Sequence, residues 1–190
     1  SVDHGVTPPS AQATILAATV RPGFEVAVAA GVMAITDVHG GAGARAAEFF
    51  TACQARARGE DLARAIRLEI EARLGAGQRI EGLGHRVHTR DPRRDALWTL
   101  AAELGLSGPC VEASRLVGGV FKDVKGLDLP VNVDGVIGAL VADMGLDPRV
   151  GKALFVFGRV AGLAAHYYEE IMTQPRMRRV NFAEARYRGA

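Results

Sequence analysis

Apolar helical stretches interrupted by short, glycine-rich polar islands make up nearly the whole chain, and that alternation constrains its fold most. Leu62, Ile66, Ile70 and Leu74 follow a four-residue rhythm, with Arg64, Arg67, Glu71 and Arg73 outside that row. Residues 23–36 are apolar on almost every side, the mark of a buried helix. The spacing predicts helices over 11–20, 23–36, 42–58, 61–74, 91–104, 109–124, 133–144 and 149–172. Ser10 is the expected N-cap of the first. Leu129-Pro130-Val131-Asn132 reads as extended, because a residue before proline is biased out of the helical region. No repeated β alternation and no internal repeat interrupts the pattern, so the expected class is all-α.

Composition sharpens this reading. The 23 glycines and 32 alanines among 190 residues suit helices that approach one another closely. A length of 190 residues fits one ordinary domain, at most with a small appendage. Lys and Arg number 23 against 21 Asp and Glu, a net charge of +2, which excludes a strongly basic nucleic-acid platform. All but Lys122, Lys125 and Lys152 of the basic residues are arginines, most of them read as solvated or structural. Cys53 and Cys110 are too few for a disulfide scaffold or a cysteine zinc site, and read as buried free thiols of a reducing compartment. The apolar stretch 26–35 is too short to span a bilayer, and 153–165 is broken by Arg159, so no membrane span is expected. Asp3 and His4 stand where a secretory leader would be basic and then apolar. The expected location is cytoplasmic.

Chemistry concentrates in the islands. His4 lies beside Asp3, His39 in VHGGAG, and His85 and His88 in GLGHRVHTRDPR. Glycine-bearing breaks between apolar helices let backbone approach a ligand and leave an imidazole accessible, although a turn or cap histidine is the commoner outcome for any one alone. A further island, NVDGVIG, places Asp134 between apolar strips, either as a helix N-cap or as a partly desolvated base. Arg93 in DPRR and Arg159 in FVFGRVAG add positive charge, and an Arg inside an apolar helix needs an oxygen partner. GAGARA at 41–46 imitates a dinucleotide fingerprint, but no strand precedes it and it is set aside. The histidine spacing is too loose for a metal site, and neighbouring arginines oppose a cation.

These islands together resemble the citrate synthase superfamily. DHGVTPPSAQATILAAT is similar to its loop carrying the first substrate histidine, and VAAGVMAITDVHGGAGARA to its AAG…HGGA segment. GLGHRVHTRDPR resembles its GH…DPR segment, LPVNVDGVIGALVADMGL its NVD segment, and FVFGRVAGLAAHYYEE the helix bearing a substrate arginine. The likeness runs in family order from Val2 to Arg179. NVDGVIG and GLGHRV resemble most the citryl-CoA lyases and the citryl-CoA-cleaving module of ATP-citrate lyase.

The resemblance implies an all-α, multi-helix, homodimeric fold, with residues 1–190 as the catalytic region without the family's N-terminal helices. It implies carbon–carbon cleavage or formation between acetyl-CoA and oxaloacetate, with citryl-CoA lyase favoured. The alternatives are a citrate or 2-methylcitrate synthase that also hydrolyses the thioester, and a non-catalytic subunit of this fold. His39 matches the donor to the thioester oxygen, Asp134 the base at the acetyl methyl, and His85 the group at the keto carbonyl. His4, Arg93 and Arg159 match the groups that hold the dicarboxylate. Gly82, Leu83 and Gly84 match the loop along CoA. Coenzyme A enters as substrate thioester, with no tightly bound cofactor and no metal. Gln174 stands where the family usually has an arginine from the second subunit, leaving Arg176 or Arg178 to substitute. His166 has no expected role beyond helix packing or a dimer contact.

Overall fold

The computed structural model describes residues 2–58, 61–84 and 91–178. Among these are eight helices: α1 (Pro9–Ala18), α2 (Phe24–Met33), α3 (Ala42–Ala57), α4 (Leu62–Gly75), α5 (Pro92–Glu103), α6 (Pro109–Lys125), α7 (Val133–Asp143) and α8 (Arg149–Thr173). Only two isolated β-bridges accompany them, Thr36 with Gly40 and Leu83 with Val131. The all-α class and the order of elements are as expected, with ends shifted by up to three residues. None of the helices is long and apolar enough to cross a membrane.

One cap differs. Pro8 is the N-cap of α1 and Pro9 occupies its first turn, where proline's fixed φ is preorganised and its missing N–H costs nothing. Ser10 therefore lies inside the helix, buried, rather than capping it.

The chain divides into two compact units, Thr36–Phe157 and Val2–Ile35 with Gly158–Ala190. In the first, the core gathers Phe49, Phe50 and Cys53 of α3, Ile66 and Ile70 of α4, Val111 and Val117 of α6, and Val136 and Ala139 of α7. Burying each large side chain contributes roughly 1.5–3 kcal/mol. Small residues set the closest approaches. A Cβ on Gly138 of α7 would come within 2.6 Å of Ala46 Cβ and Ala47 N, so α3 and α7 meet almost backbone to backbone. Gly43 of α3 and Gly151 in the first turn of α8 make a similar contact.

Polar groups in this unit are spent on helix ends and on pairs. The Asp143 carboxylate accepts from the N–H groups of Gly108, Cys110 and Val111 and so caps α6, which has no capping side chain of its own. Glu69, buried on α4, is held between Arg56 (2.8 Å) and Arg73 (2.9 Å); burial pushes its carboxyl up, but the two guanidiniums outweigh this and hold it below its usual range. These arginines are structural. Cys53 and Cys110 are buried free thiols, both pushed up to about 12 chiefly by burial, which leaves them unreactive as nucleophiles.

In the second unit α1 and α2 cross at Gly31, whose missing Cβ leaves room for Thr14 and for the carbonyl of Ser10. Tyr167 of α8 packs edge-on against Phe24 (5.5 Å) and donates its hydroxyl to Pro22 O (3.0 Å). The segment after α8 is tied back to the end of α1: Arg21 donates to Gln174 O and Met177 N donates to Thr19 O (2.8 Å).

Candidate active site

Within the first unit, three helix N-termini carry the predicted residues. His39 sits half-buried in the loop between α2 and α3, its backbone N–H bonded to Thr36 O and its ring edge-on to Phe155 at 5.8 Å. Lys152 anchors the same loop by its 2.8 Å contact to Asp37, whose carboxyl it holds below the usual range. Asp134 is half-buried in the first turn of α7 and is not the cap. Asn132 is the cap: its Oδ1 accepts from Gly135 N at 3.1 Å.

The Gly82–Gly84 loop is docked on the entry to α7. Gly84 N donates to Pro130 O (2.7 Å), Asn132 N donates to Gly82 O (2.9 Å), and Asn132 Nδ2 donates to Gly84 O (2.8 Å). Leu83 bridges to Val131 across the pair. Gly82, at φ +88°, touches two helices at once: a Cβ there would lie 2.6 Å from Gly135 Cα and 3.4 Å from Ala46 Cβ. The second turn of α3 and the first turn of α7 therefore come together at this glycine. Gly82→Ala combines left-handed strain with a backbone collision and should cost on the order of 3 kcal/mol in urea unfolding. Gly77→Ala, with φ +71° and nothing within 4 Å, tests strain alone and should cost less than half as much. Equal losses would show that the Gly82–Gly135 contact contributes nothing.

Arg93 opens α5. Its Nε and Nη2 form a fork onto the two oxygens of Asp91 at 2.9 and 2.8 Å. Asp91 is fully buried, caps α5 through Arg93 N (3.0 Å), and also accepts from Val133 N (2.9 Å) at the start of α7. Burial alone would raise its carboxyl, but Arg93 and the two backbone donors lower it to about 2. Asp91 is the site residue that sequence reasoning passed over. Its signal was present, an Asp directly before the proline that opens a helix, but its second bond to α7 is a tertiary fact.

The second unit carries His4, Arg159 and Arg176. His4 is exposed in the segment before α1. Arg159 is buried on α8 and donates through Nη1 to Ser10 Oγ at 3.1 Å, the oxygen partner that an apolar helix demands. Arg176 is exposed beyond α8, while Arg178 lies 3.2 Å from the buried Glu170. His166, on α8, meets Asp3 at 2.8 Å. A cavity of about 520 Å³ in this unit is lined by Gln12, Ile15, His166, Glu170 and Arg178, among others; of the candidate substrate groups it takes in Arg178 but not His4, Arg159 or Arg176. His85, and His88 with it, lies outside the described residues. Among the described residues no group of three or more His, Cys, Asp or Glu side chains is placed to hold a metal.

The sequence-family model described as citrate synthase, C-terminal domain, matches residues 1–181. None of the curated protein sequences matches the chain. Among solved structures, citryl-CoA lyase from Hydrogenobacter thermophilus aligns with TM-score 0.85 and 34% identity, covering 100% of this chain and 73% of that one. Citrate synthase from Thermoplasma acidophilum, in a ternary complex with carboxymethyl coenzyme A and oxaloacetate, aligns with TM-score 0.75 and 25% identity over 100% of this chain and 49% of that one. ATP citrate lyase from Methanothrix soehngenii, in complex with citrate and coenzyme A, shares the fold at TM-score 0.74 and 24% identity, covering 100% of this chain and 32% of that one.

Proposed function

The chain belongs to the citrate synthase family, and on that premise we propose that it cleaves citryl-CoA to acetyl-CoA and oxaloacetate through the enolate of the acetyl thioester. The observation that carries the lyase reading is the 34% identity to a citryl-CoA lyase across the whole of this chain.

In cleavage, the citryl hydroxyl gives up its proton as the neighbouring carbon–carbon bond breaks. That bond's electron pair passes into the thioester as an enolate, and the hydroxyl carbon becomes the keto carbonyl of oxaloacetate. His85 takes the hydroxyl proton. His39 donates to the enolate oxygen, and Asp134 delivers a proton to the enolate carbon, forming the acetyl methyl. In condensation Asp134 removes that proton instead. The geometry supports these roles. His39 lies three residues before the start of α3 and Asp134 is the second residue of α7, and the positive ends of both helices favour charge developing on an oxygen. A displaced donor would forfeit much of that effect, so the docking of Gly82 between α3 and the first turn of α7 matters.

His4, Arg159 and Arg93 take the substrate carboxylates. Arg93 does so with its Nε and Nη2 already on Asp91, so its ion pair serves to aim it. Arg176 is the basic group offered in place of the residue at Gln174. The Gly82-Leu83-Gly84 backbone lies along CoA, which is a substrate and not a resident cofactor. A homodimer is supported by largely exposed Leu16, Val20, Met33 and Met172. Two buried free thiols support a cytoplasmic setting.

Incubation with citryl-CoA tests the reading. Acetyl-CoA and oxaloacetate should appear in equal amounts with no free CoA. Steady release of free CoA would instead make the protein a synthase that hydrolyses the thioester. No turnover, together with no calorimetric binding of CoA or oxaloacetate, would leave a non-catalytic subunit.

A further inference from the structure

Three features of one face of α8 bear on the short segment that carries His4. Arg159, Gly162 and His166 stand at i, i+3 and i+7, so they share a face. All three are buried. Gly162 receives backbone: a Cβ there would overlap the carbonyl oxygen of Val2 and come within 3.4 Å of Asp3 Cα. His166 Nε2 meets Asp3 Oδ1 at 2.8 Å, with Glu169 Oε2 at 3.8 Å from its Nδ1. The other Asp3 oxygen accepts from Gly5 N at 3.0 Å. Burial pushes the Asp3 carboxyl up, but these bonds together hold it below its usual range. Ser10, at the start of α1, receives Arg159.

Residues 2–7 belong to no helix and are exposed, so the segment takes its place from contacts other than helical bonding, among them those of Asp3 and of Gly162. A binding group that must be ordered by its ligand weakens that ligand's affinity. The residues on both sides of His4 are nevertheless held, Asp3 by His166 and Gly5 by Asp3.

We propose that His166 is a positioning residue, which through Asp3 holds His4 on the same α8 face that carries Arg159 and so presets two carboxylate-binding groups. This rests on the reading of His4 and Arg159 as oxaloacetate ligands given above. Gly162 is the second half of the device, since only glycine admits the Val2 carbonyl at that depth. His166 touches no substrate in this scheme and acts through Asp3 alone.

Calorimetric titration of the full chain with oxaloacetate, and separately with CoA, tests the idea. His166→Leu and Asp3→Ala should each weaken oxaloacetate binding roughly 10- to 100-fold, the range for a hydrogen bond to a charged group. CoA binding should stay within about twofold. His166→Gln, whose amide can still donate to Asp3, should recover most of the affinity, whereas a side chain needed only for packing would be served better by Leu. The double variant should be no worse than the weaker single one. Asp3 is exposed enough that its Ala variant folds even if His166→Leu does not. Oxaloacetate affinity unchanged in Asp3→Ala, or Leu restoring as well as Gln, overturns the proposal. His4→Ala separates the layers: if it leaves oxaloacetate binding intact, the reading of His4 fails. If it abolishes binding while Asp3→Ala does not, only the positioning role fails.

Discussion

Asp134→Asn will lower the rate of citryl-CoA cleavage by roughly 10²–10⁴-fold while leaving CoA and oxaloacetate bound, because it removes the proton carrier without changing the shape of the site. The fold should tolerate the change. Asn132, not Asp134, caps α7, and Gly135 N keeps its acceptor. What the helix loses is a negative charge in its first turn, about 0.3–1 kcal/mol. Unfolding midpoints of the two proteins should therefore nearly coincide, and the loss should appear in kcat rather than in affinity. An independent readout is exchange of the acetyl-CoA methyl protons with deuterated solvent in the presence of oxaloacetate, which should stop in the variant. Cleavage within about threefold of the parent protein would remove Asp134 from the chemistry and transfer the proton step to another group.

The contrast between Asn132 and Asp134 shows where the sequence was legible and where it was not. Helix extents followed from apolar spacing and punctuation: Asp61 caps α4, proline opens α5 and α6, and Gly126 in the left-handed region closes α6. Such signals are local, and local physics is what a sequence displays. Which of two polar residues two apart would cap α7 depended on the direction of the entering chain, which Pro130 and the Gly82 loop set from outside the helix. Ser10 was misread for a related reason. Its hydroxyl serves Arg159, a partner 149 residues away. Arg93 was expected to hold substrate, but its fork onto Asp91, two residues earlier, was not read from the sequence. The resemblance to a known family named His39 and Asp134, which the structure places in the loop before α3 and in the first turn of α7. Neither it nor the spacing could show that Gly82 brings α3 and the first turn of α7 together, because backbone contact between glycines leaves no apolar pattern.

Asp91→Asn should be the most damaging conservative change in the first unit, and its effect should depend on pH in a defined direction. The carboxylate is fully buried and serves Arg93, the α5 cap and Val133 N at once. Asn can keep one acceptor but no charge, so the part-exposed Arg93 guanidinium loses its charge-assisted fork and Val133 N its carboxylate acceptor, a loss of about 2–3 kcal/mol. For a chain of this size that lowers the midpoint by roughly 4–12 °C. The folded Asp91 carboxyl is depressed from 3.8 to about 2. A depressed acid contributes stability that is fully present above its unfolded pKa and is lost as pH falls through its folded pKa. The window here is from about pH 4 down to about pH 2, and the part at stake is about 2 kcal/mol. Urea unfolding of the two proteins at pH 7 should show the full gap, and the gap should narrow steadily across that acid window. A gap constant down to pH 2 would mean that the ion pair with Arg93 is energetically idle. Oxaloacetate affinity should fall in parallel at pH 7, since the same carboxylate aims the Arg93 guanidinium and anchors the N–H that begins α7, one residue before Asp134. Retained affinity with lost stability would separate the two tasks and leave Arg93 a structural residue only.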